Sequence, residues 1–235
     1  MEEKLIEFAN KINVDLNEDQ ARKYKKYMEL LLEWNEKINL TAITEENDII
    51  LKHFIDSMTV LKYIDDKESI VDVGTGAGFP GIPISIMKNN KVTLVDSLNK
   101  RINFLNDVID KLNLENTYAI HARAEEFGKN KEYRESFDIS ISRAVANLST
   151  LVEYLLPLIK VGGKCICMKG QDVEQEINDA KFAIKQLGGK IEKVDEFYLS
   201  GTDMKRTIII IRKENVTPNK YPRKSGTPSK DPLKK

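Results

Sequence analysis

The chain has 235 residues, of which 41% are apolar and 31% charged. This is the composition of a globular protein; it excludes a collagen-like or wholly disordered chain, and the length suits one α/β domain with an extension. No apolar run is long enough to cross a membrane, and Met1–Lys4 does not begin a signal peptide, so we expect a cytoplasmic protein. Two cysteines and two histidines are too few for a disulfide framework and leave little for zinc, so no metal site is expected.

The formal charge is zero but is unevenly distributed along the chain. Residues 212–235 carry eight basic and two acidic side chains, a balance of +6, so the rest of the chain sums to −6. An acidic body with a basic tail suggests local contact with a polyanion. A solvated, disordered terminus explains the same charges, and residues 215–235, with four prolines, are the only linker-like segment.

Residues 1–68 are predicted to form a helical extension. Asn17 and Gln20 have the spacing of a capping box. From there apolar residues recur at steps of three and four, which predicts an amphipathic helix ending near Asn39. A second helix is predicted from about Glu46 to Tyr63.

From Ser69 onward, short β-branched runs alternate with helical segments, which predicts a parallel sheet with right-handed crossovers. The predicted strands are Ile70–Val73, Val92–Asp96, Tyr118–His121, Phe137–Ser142, Cys165–Met168, Ile191–Phe197 and Thr207–Ile211. The connection at 198–206 is too short for a helix, so the seventh strand is expected to run antiparallel to the sixth. The chain then divides into an extension (1–68), a core (69–213) and a basic, proline-rich tail (214–235).

The first predicted strand runs into a glycine-rich loop at 72–81, with the sequence DVGTGAGFPG. The dinucleotide fingerprint G-x-G-x-x-G would need a glycine where Phe79 stands, and no P-loop lysine follows. A G-x-G-x-G loop after an acidic strand end is instead typical of class I methyltransferases, whose cofactor S-adenosylmethionine has no phosphate. Gly74, Gly76 and Gly78 would let the backbone turn tightly and approach that ligand.

Two further positions fit the same cofactor. Asp96 lies 22 residues after Gly74 and ends the second strand. A carboxylate at this position accepts hydrogen bonds from both ribose hydroxyls of the cofactor. The alternative role for Asp96 is to cap the next helix. Backbone groups of Ala124 and Glu125 are placed to read the adenine edge, although acidic residues also suit the start of a short helix. The spacing favours an α/β, Rossmann-like class I methyltransferase.

The fourth strand is followed by Arg143, in the region where class I enzymes orient the acceptor. The Asp/Asn-Pro-Pro-aromatic turn used for exocyclic amines of adenine is absent. Cys165 and Cys167, the only candidates for the nucleophile that pyrimidine C5 methylation needs, fit core packing on a buried strand. Methylation of a ring nitrogen such as guanine N7 needs neither that turn nor a cysteine nucleophile. Arg143 is expected to hold the cofactor carboxylate, a phosphate or the guanine edge, or else to form a surface salt bridge.

Several segments together resemble the RsmG family, also called glucose-inhibited division protein B. The segments are Leu31–Asn35, Ile38–Ile43, His53–Ser57, Asp72–Pro83, Arg123–Phe127, Ser142–Ala144 and Tyr221–Pro228. The resemblance implies a bacterial methyltransferase that modifies N7 of a guanine in the 530 loop of 16S rRNA, in the small ribosomal subunit or its assembly intermediate. It implies cofactor contacts at Gly74, Phe79, Ala124, Glu125 and Arg143, and it matches Asp96 to the acid of the second strand. We expect a monomer without membrane contact.

His53 and Asp56 are expected on one face of the second helix. They would touch substrate if that helix covers the cleft, or satisfy loop backbone groups if it does not. The candidate RNA contacts are the basic residues Lys100, Arg101, Arg123, Lys169, Lys205, Arg206 and those of the tail. Two other functions stay open: a small-molecule methyltransferase with the extension as a lid, and a non-catalytic S-adenosylmethionine-binding or ribosome-associated module.

Overall fold

The computed structural model describes residues 1–143, 146–171, 173–199 and 201–234, so Ala144 of the family motif and Lys235 of the tail lie outside the described residues. Its centre is a seven-stranded sheet in the order β3-β2-β1-β4-β5-β7-β6. The strands are β1 (Ile70–Val73), β2 (Val92–Asp96), β3 (Thr117–His121), β4 (Phe137–Arg143), β5 (Ile159–Lys169), β6 (Gly189–Tyr198) and β7 (Lys205–Lys213). β7 is antiparallel to both β5 and β6, whereas β1 to β5 pair in parallel. The predicted fold class and antiparallel last strand are confirmed.

The sheet separates two apolar cores. Successive side chains of a strand point to opposite faces, and Ile208 and Ile210 accordingly belong to one core while Ile209 and Ile211 belong to the other. The helices of the core are α5 (Gly81–Met87), α6 (Asn99–Lys111), α7 (Ala124–Phe127), α8 (Leu148–Leu155) and α9 (Glu174–Gln186), with a 3₁₀ turn at Leu156–Leu158. Because both faces are covered, the central strands are apolar almost throughout their length.

The N-terminal extension begins with α1 (Glu2–Asn10) and α2 (Glu18–Ile38). The predicted capping box is confirmed: the Gln20 N–H donates to Asn17 Oδ1 at 2.8 Å, and the Asn17 N–H donates to Gln20 Oε1 at 3.0 Å. α2 ends at Ile38, which confirms the predicted end near Asn39, and Asn39 adopts the left-handed conformation as its C-cap. The helix is therefore fixed at both ends by its own sequence.

The second helix of the extension is not one continuous α-helix. It consists of α3 (Glu46–Asp48), a π-helical stretch (Ile49–Ile55), α4 (Asp56–Met58) and a 3₁₀ turn (Leu61–Tyr63). Four side chains of the π-helical stretch are fully buried, and they are spaced five apart: Ile49 with Phe54, and Ile50 with Ile55. In an α-helix, two residues five positions apart lie on different faces of the helix. The wider π-helical turn places both members of each pair on the same face.

The C-terminal segment is folded against the core, which corrects the prediction of a linker. Tyr221 and Pro228 are buried, and Thr150 Oγ1 of α8 donates to the Pro228 carbonyl at 2.9 Å. A short helix, α10, spans Thr227–Lys230. Prolines and single polar contacts anchor this segment, so it shows no apolar periodicity that sequence analysis detects. Within the described ranges, no helix has both the length and the apolar character needed to span a bilayer.

Candidate active site

A cleft of about 630 Å³ opens at the carboxyl ends of β1, β2 and β4. This is the edge of an open α/β sheet where ligands bind. Most of the predicted site residues line it: His53, Gly74, Gly76, Phe79, Asp96, Ala124, Glu125 and Arg143. Gly78 and Asp56 are not part of its lining: the side of the loop at Gly78 packs against Tyr27 and Ile82, and Asp56 accepts a hydrogen bond from Arg143.

The glycine loop is held from below by Asp72, which is fully buried. Its Oδ2 accepts from Thr75 Oγ1 at 2.7 Å and from the Gly81 N–H at 2.9 Å. Burial raises the pKa of Asp72 to about 6, although these two hydrogen bonds act in the opposite direction. Because the folded pKa lies above the ordinary value of 3.8, the stability that protonated Asp72 contributes is complete below pH 3.8 and is lost as the pH rises through about 6.

Two glycines of the loop serve different purposes. Gly76 has φ +62°, and a Cβ built there meets nothing within 4 Å, so at this point the backbone is open to a ligand. Gly78 has φ +97°, and its Cβ would lie 2.6 Å from Ile82 Cγ1 and 2.8 Å from Tyr27 Oη. Gly78 therefore allows α2 to approach the loop, and its contact with the cofactor stays a prediction.

Asp96 ends β2 and is only 3% exposed. Its Oδ2 accepts from the Gly76 N–H at 3.0 Å and from Arg101 Nη1 at 3.1 Å, and its Oδ1 accepts from the Leu98 N–H at 2.9 Å. The carboxylate thus binds the backbone just before α6, without capping the first turn of that helix, and it also faces the cleft. Its contact with ribose hydroxyls stays a prediction. A carboxylate offers about four acceptor positions, and three of those on Asp96 are already taken. The two hydroxyls of a diol bound in the cleft would therefore compete chiefly with the Arg101 contact.

The opposite end of the cleft is closed by α7 and by the C-terminal segment. Glu125 is buried, and its Oε1 accepts from the Gly226 N–H at 2.7 Å. Gly226 and Ser229 line the cleft beside Tyr154. Burial, with Glu125 nearby, raises the pKa of Tyr154 to about 12, so its hydroxyl stays protonated. Tyr154, Gly226 and Ser229 were not predicted as part of the site, and the family resemblance of the tail is the signal in the sequence that points to them.

Arg143 joins the extension to the sheet. Its Nη1 donates to the Lys52 carbonyl at 2.9 Å and to Asp56 Oδ2 at 3.1 Å, and its Nη2 donates to His53 Nδ1 at 3.1 Å. The guanidinium also lies 4.9 Å from the centre of the Phe79 ring. These four contacts fix the orientation of the guanidinium more firmly than a single surface salt bridge would.

His53 is a neutral member of this cluster. Its ring stacks on Phe79 at 4.4 Å, and burial together with the Arg143 charge lowers the pKa of His53 to about 4. Because Nδ1 accepts from Arg143, we assign the proton to Nε2, which donates to Thr41 Oγ1 at 3.0 Å. Both ring nitrogens are therefore engaged, and His53 borders the cleft without a free basic nitrogen.

Several predicted RNA contacts are occupied within the chain. Lys169 pairs with Glu176 at 2.6 Å and Lys205 with Glu196 at 3.2 Å, while Lys100 donates to the carbonyl of Ile38. Arg101 and Arg206 bind Asp96 and Asp56, and Arg123 lines the cleft.

The cysteines occupy the core, as predicted. Cys165 and Cys167 are both fully buried on β5, with sulfur atoms 3.6 Å apart. The contact with Cys165, together with burial, raises the pKa of the Cys167 thiol well above its usual value. Neither thiol is placed to act as a nucleophile in the cleft.

The strand order, the glycine loop after β1 and the acid at the end of β2 define a class I, S-adenosylmethionine-dependent methyltransferase. Two solved structures share the fold: TrmK of M. capricolum in complex with S-adenosyl-homocysteine, and TYW2 of M. jannaschii in complex with AdoMet. The first has a TM-score of 0.53 at 22% identity and covers 68% of each chain. The second has a TM-score of 0.54 at 17% identity and covers 68% of this chain and 76% of that one.

Sequence relatives narrow the class to one family. The family model of rRNA small subunit methyltransferase G (GidB) matches residues 20–207. Ribosomal RNA small subunit methyltransferase G of Acetivibrio thermocellus is 53% identical over 231 residues, which are 97% of this chain and 95% of the relative. The protein of the same name from Clostridium perfringens strain 13 is 50% identical over 229 residues, 96% of each chain. The chain belongs to the rRNA small subunit methyltransferase G family.

Proposed function

We propose that the chain transfers the methyl group of S-adenosylmethionine to N7 of a guanine in the 530 loop of 16S rRNA. The observation that carries the proposal is the match, over nearly the whole chain, to relatives named for methylation of small-subunit ribosomal RNA. The substrate is the RNA in the small subunit or in its assembly intermediate. The three-part division of the chain, the monomeric state and the cytoplasmic location stay predictions.

The cleft fits the cofactor by the chemistry of its donors and acceptors. S-adenosylmethionine supplies a methyl group on a positively charged sulfur. Asp96 offers a buried carboxylate to the ribose hydroxyls, and the open backbone at Gly76 leaves room for the ligand to lie on the loop. The remaining proposed contacts are Gly74 and Phe79 of the loop, the backbone of Ala124 and Glu125 toward adenine, and Arg143 toward the methionine end.

The acceptor side of the cleft favours an atom that has no proton to lose. His53 has both nitrogens engaged, and both oxygens of Asp56 accept from arginines, Arg143 and Arg206. Neither group of this cluster is therefore free to act as a general base. Guanine N7 presents a lone pair at neutral pH and needs no base.

Catalysis then depends on alignment. The chain has to hold N7, the methyl carbon and the sulfur in line, and effective molarity of this kind supplies roughly 7–11 kcal/mol. Arg143 suits a positioning role because its contacts to Lys52, His53 and Asp56 brace it against the extension. We assign the extension the task of fixing this side of the cleft.

The proposal is tested by transfer of a labelled methyl group to small ribosomal subunits and to 16S rRNA that lack the modification. We expect the label in one guanine of the 530 loop, detected as chain cleavage at 7-methylguanine. Free nucleotides and total cell protein serve as parallel substrates. Label on another base, on protein or only on a small molecule would contradict the proposal; cofactor binding without any transfer would support the non-catalytic module.

A further inference from the structure

A second cavity adjoins the cofactor cleft. It has a volume of about 420 Å³, and His53 and Arg143 line both spaces. Its other walls come from the N-terminal extension, from the carboxyl end of β5, from β6 and from the start of β7. Methyl transfer requires the reacting atoms to approach within about 3–3.5 Å, so an acceptor site must adjoin the cofactor cleft. The second cavity meets that requirement.

The walls of this cavity are largely apolar, and they include the ring of Phe197. Ile43, Met168, Phe197 and Ile208 supply its apolar walls. Phe197, on β6, is half-buried, so one part of its ring is still available to a ligand. Cavities of about 300–1,000 Å³ bury most of a small planar ligand, and a nucleobase stacks on an aromatic ring of this kind.

The rim of the cavity is cationic. Asp56, 5% exposed, accepts from Arg143 at Oδ2 and from Arg206 Nε at Oδ1, the second at 2.8 Å. Two other Arg206 contacts go to a neighbouring carbonyl and a thioether sulfur, so two of its five N–H groups have no partner among the described residues. Lys52, whose side chain is 36% exposed, adds a second positively charged group; it pairs with the exposed Asp48 at 2.8 Å, a contact at the rim that a phosphate can replace. This arrangement suits a phosphate attached to the base inside.

We propose that the second cavity receives the target guanine itself, turned out of a single-stranded RNA loop, with the base on Phe197 and the adjoining phosphate against Arg206 and Lys52. The inference rests on the proposed function and specifies where its acceptor binds. Sequence-specific recognition of RNA commonly uses splayed bases stacked on aromatic side chains. An arginine fork on N7 and O6 would occupy the lone pair that is methylated, so the arginine belongs on the phosphate rather than on that base edge.

Phe197→Leu tests the stacking contact while keeping an apolar side chain. We expect the variant to lower kcat/KM for methyl transfer to unmodified small subunits about fivefold or more, because base–aromatic stacking contributes that much or more per base. The affinity for S-adenosyl-homocysteine should stay unchanged. Tyr198→Leu is the matched control: Tyr198 is the next residue on the same strand, points to the opposite face and is 67% exposed. It should leave methyl transfer unaffected.

Gly170→Trp tests the space itself. Gly170 lines the cavity, and a Cβ built there meets nothing within 4 Å, so a large side chain is tolerated at this wall without backbone strain. We expect it to lower methyl transfer at least as far as Phe197→Leu does, again with cofactor affinity retained.

If the wild type transfers the methyl group and both cavity variants retain full activity, this inference is overturned and the proposed function stands. An equal loss in Tyr198→Leu, or a parallel loss of cofactor affinity, would also overturn it, because the effect would then not be specific to an acceptor cavity. No methyl transfer by the wild type would overturn the proposed function and this inference with it.

Discussion

Replacing Asp96 by alanine is expected to weaken binding of S-adenosyl-homocysteine by at least about 100-fold. The carboxylate is 97% removed from solvent and faces the cleft, so two hydrogen bonds from ribose hydroxyls to it would be charge-assisted and shielded from water. Each such bond contributes about 1.5–3 kcal/mol. Titration calorimetry of the folded variant measures the loss directly.

Two further variants separate the ribose contact from loop support. Asp96→Asn retains one acceptor oxygen and the shape of the side chain, so its loss of affinity should be smaller than that of the alanine variant. Asp110→Ala removes an exposed carboxylate from α6 and should leave the affinity unchanged. Near-normal binding by Asp96→Ala would show that the sugar is held elsewhere.

Arg223→Ala is expected to lower the free energy of unfolding by about 3–5 kcal/mol, the usual cost of leaving a buried charge without its partner. Glu153 has no exposed surface; it accepts from the Arg223 backbone N–H at 2.8 Å, from Nε at 3.0 Å and from Nη2 at 2.8 Å. For a chain of this size the melting temperature should fall by roughly 6–20 °C, measured by calorimetry or circular dichroism.

The same change should also weaken cofactor binding, because the segment anchored by Arg223 carries Gly226 and Ser229 into the cleft wall. Lys224→Ala is the matched control, since Lys224 is the adjacent, exposed basic residue. If the two variants melt alike and bind the cofactor alike, the C-terminal segment does not complete the cleft.

Much of the fold follows from local sequence patterns. Strand boundaries at β1 and β2 are those predicted, since apolar β-branched runs end at Asp72-Val73 and at Asp96 with clear turn signals. The capping box at Asn17 likewise defines its helix locally. The π-helical stretch was not predicted, because helical periodicity analysis tests a period of 3.6 and not the five-residue spacing of Ile49 and Phe54.

The candidate site was predictable where a residue's role is set by its position on a strand. Asp96 and Arg143 follow from the ends of β2 and β4. The roles of Gly78 and Glu125 were harder, because they depend on contacts with α2 and with Gly226, which are distant in sequence. Basic residues were the least predictable: their charge is evident in the sequence, but their carboxylate partners are fixed only by the fold.

A crystal structure of the chain with S-adenosyl-homocysteine tests the central claim most directly. We expect the ligand in the cleft over Gly76, with both ribose hydroxyls within hydrogen-bond distance of Asp96, and with the adenine beside the backbone of Ala124 and Glu125. A ligand bound elsewhere, or one whose sugar leaves Asp96 paired only with Arg101 and the backbone, would contradict it.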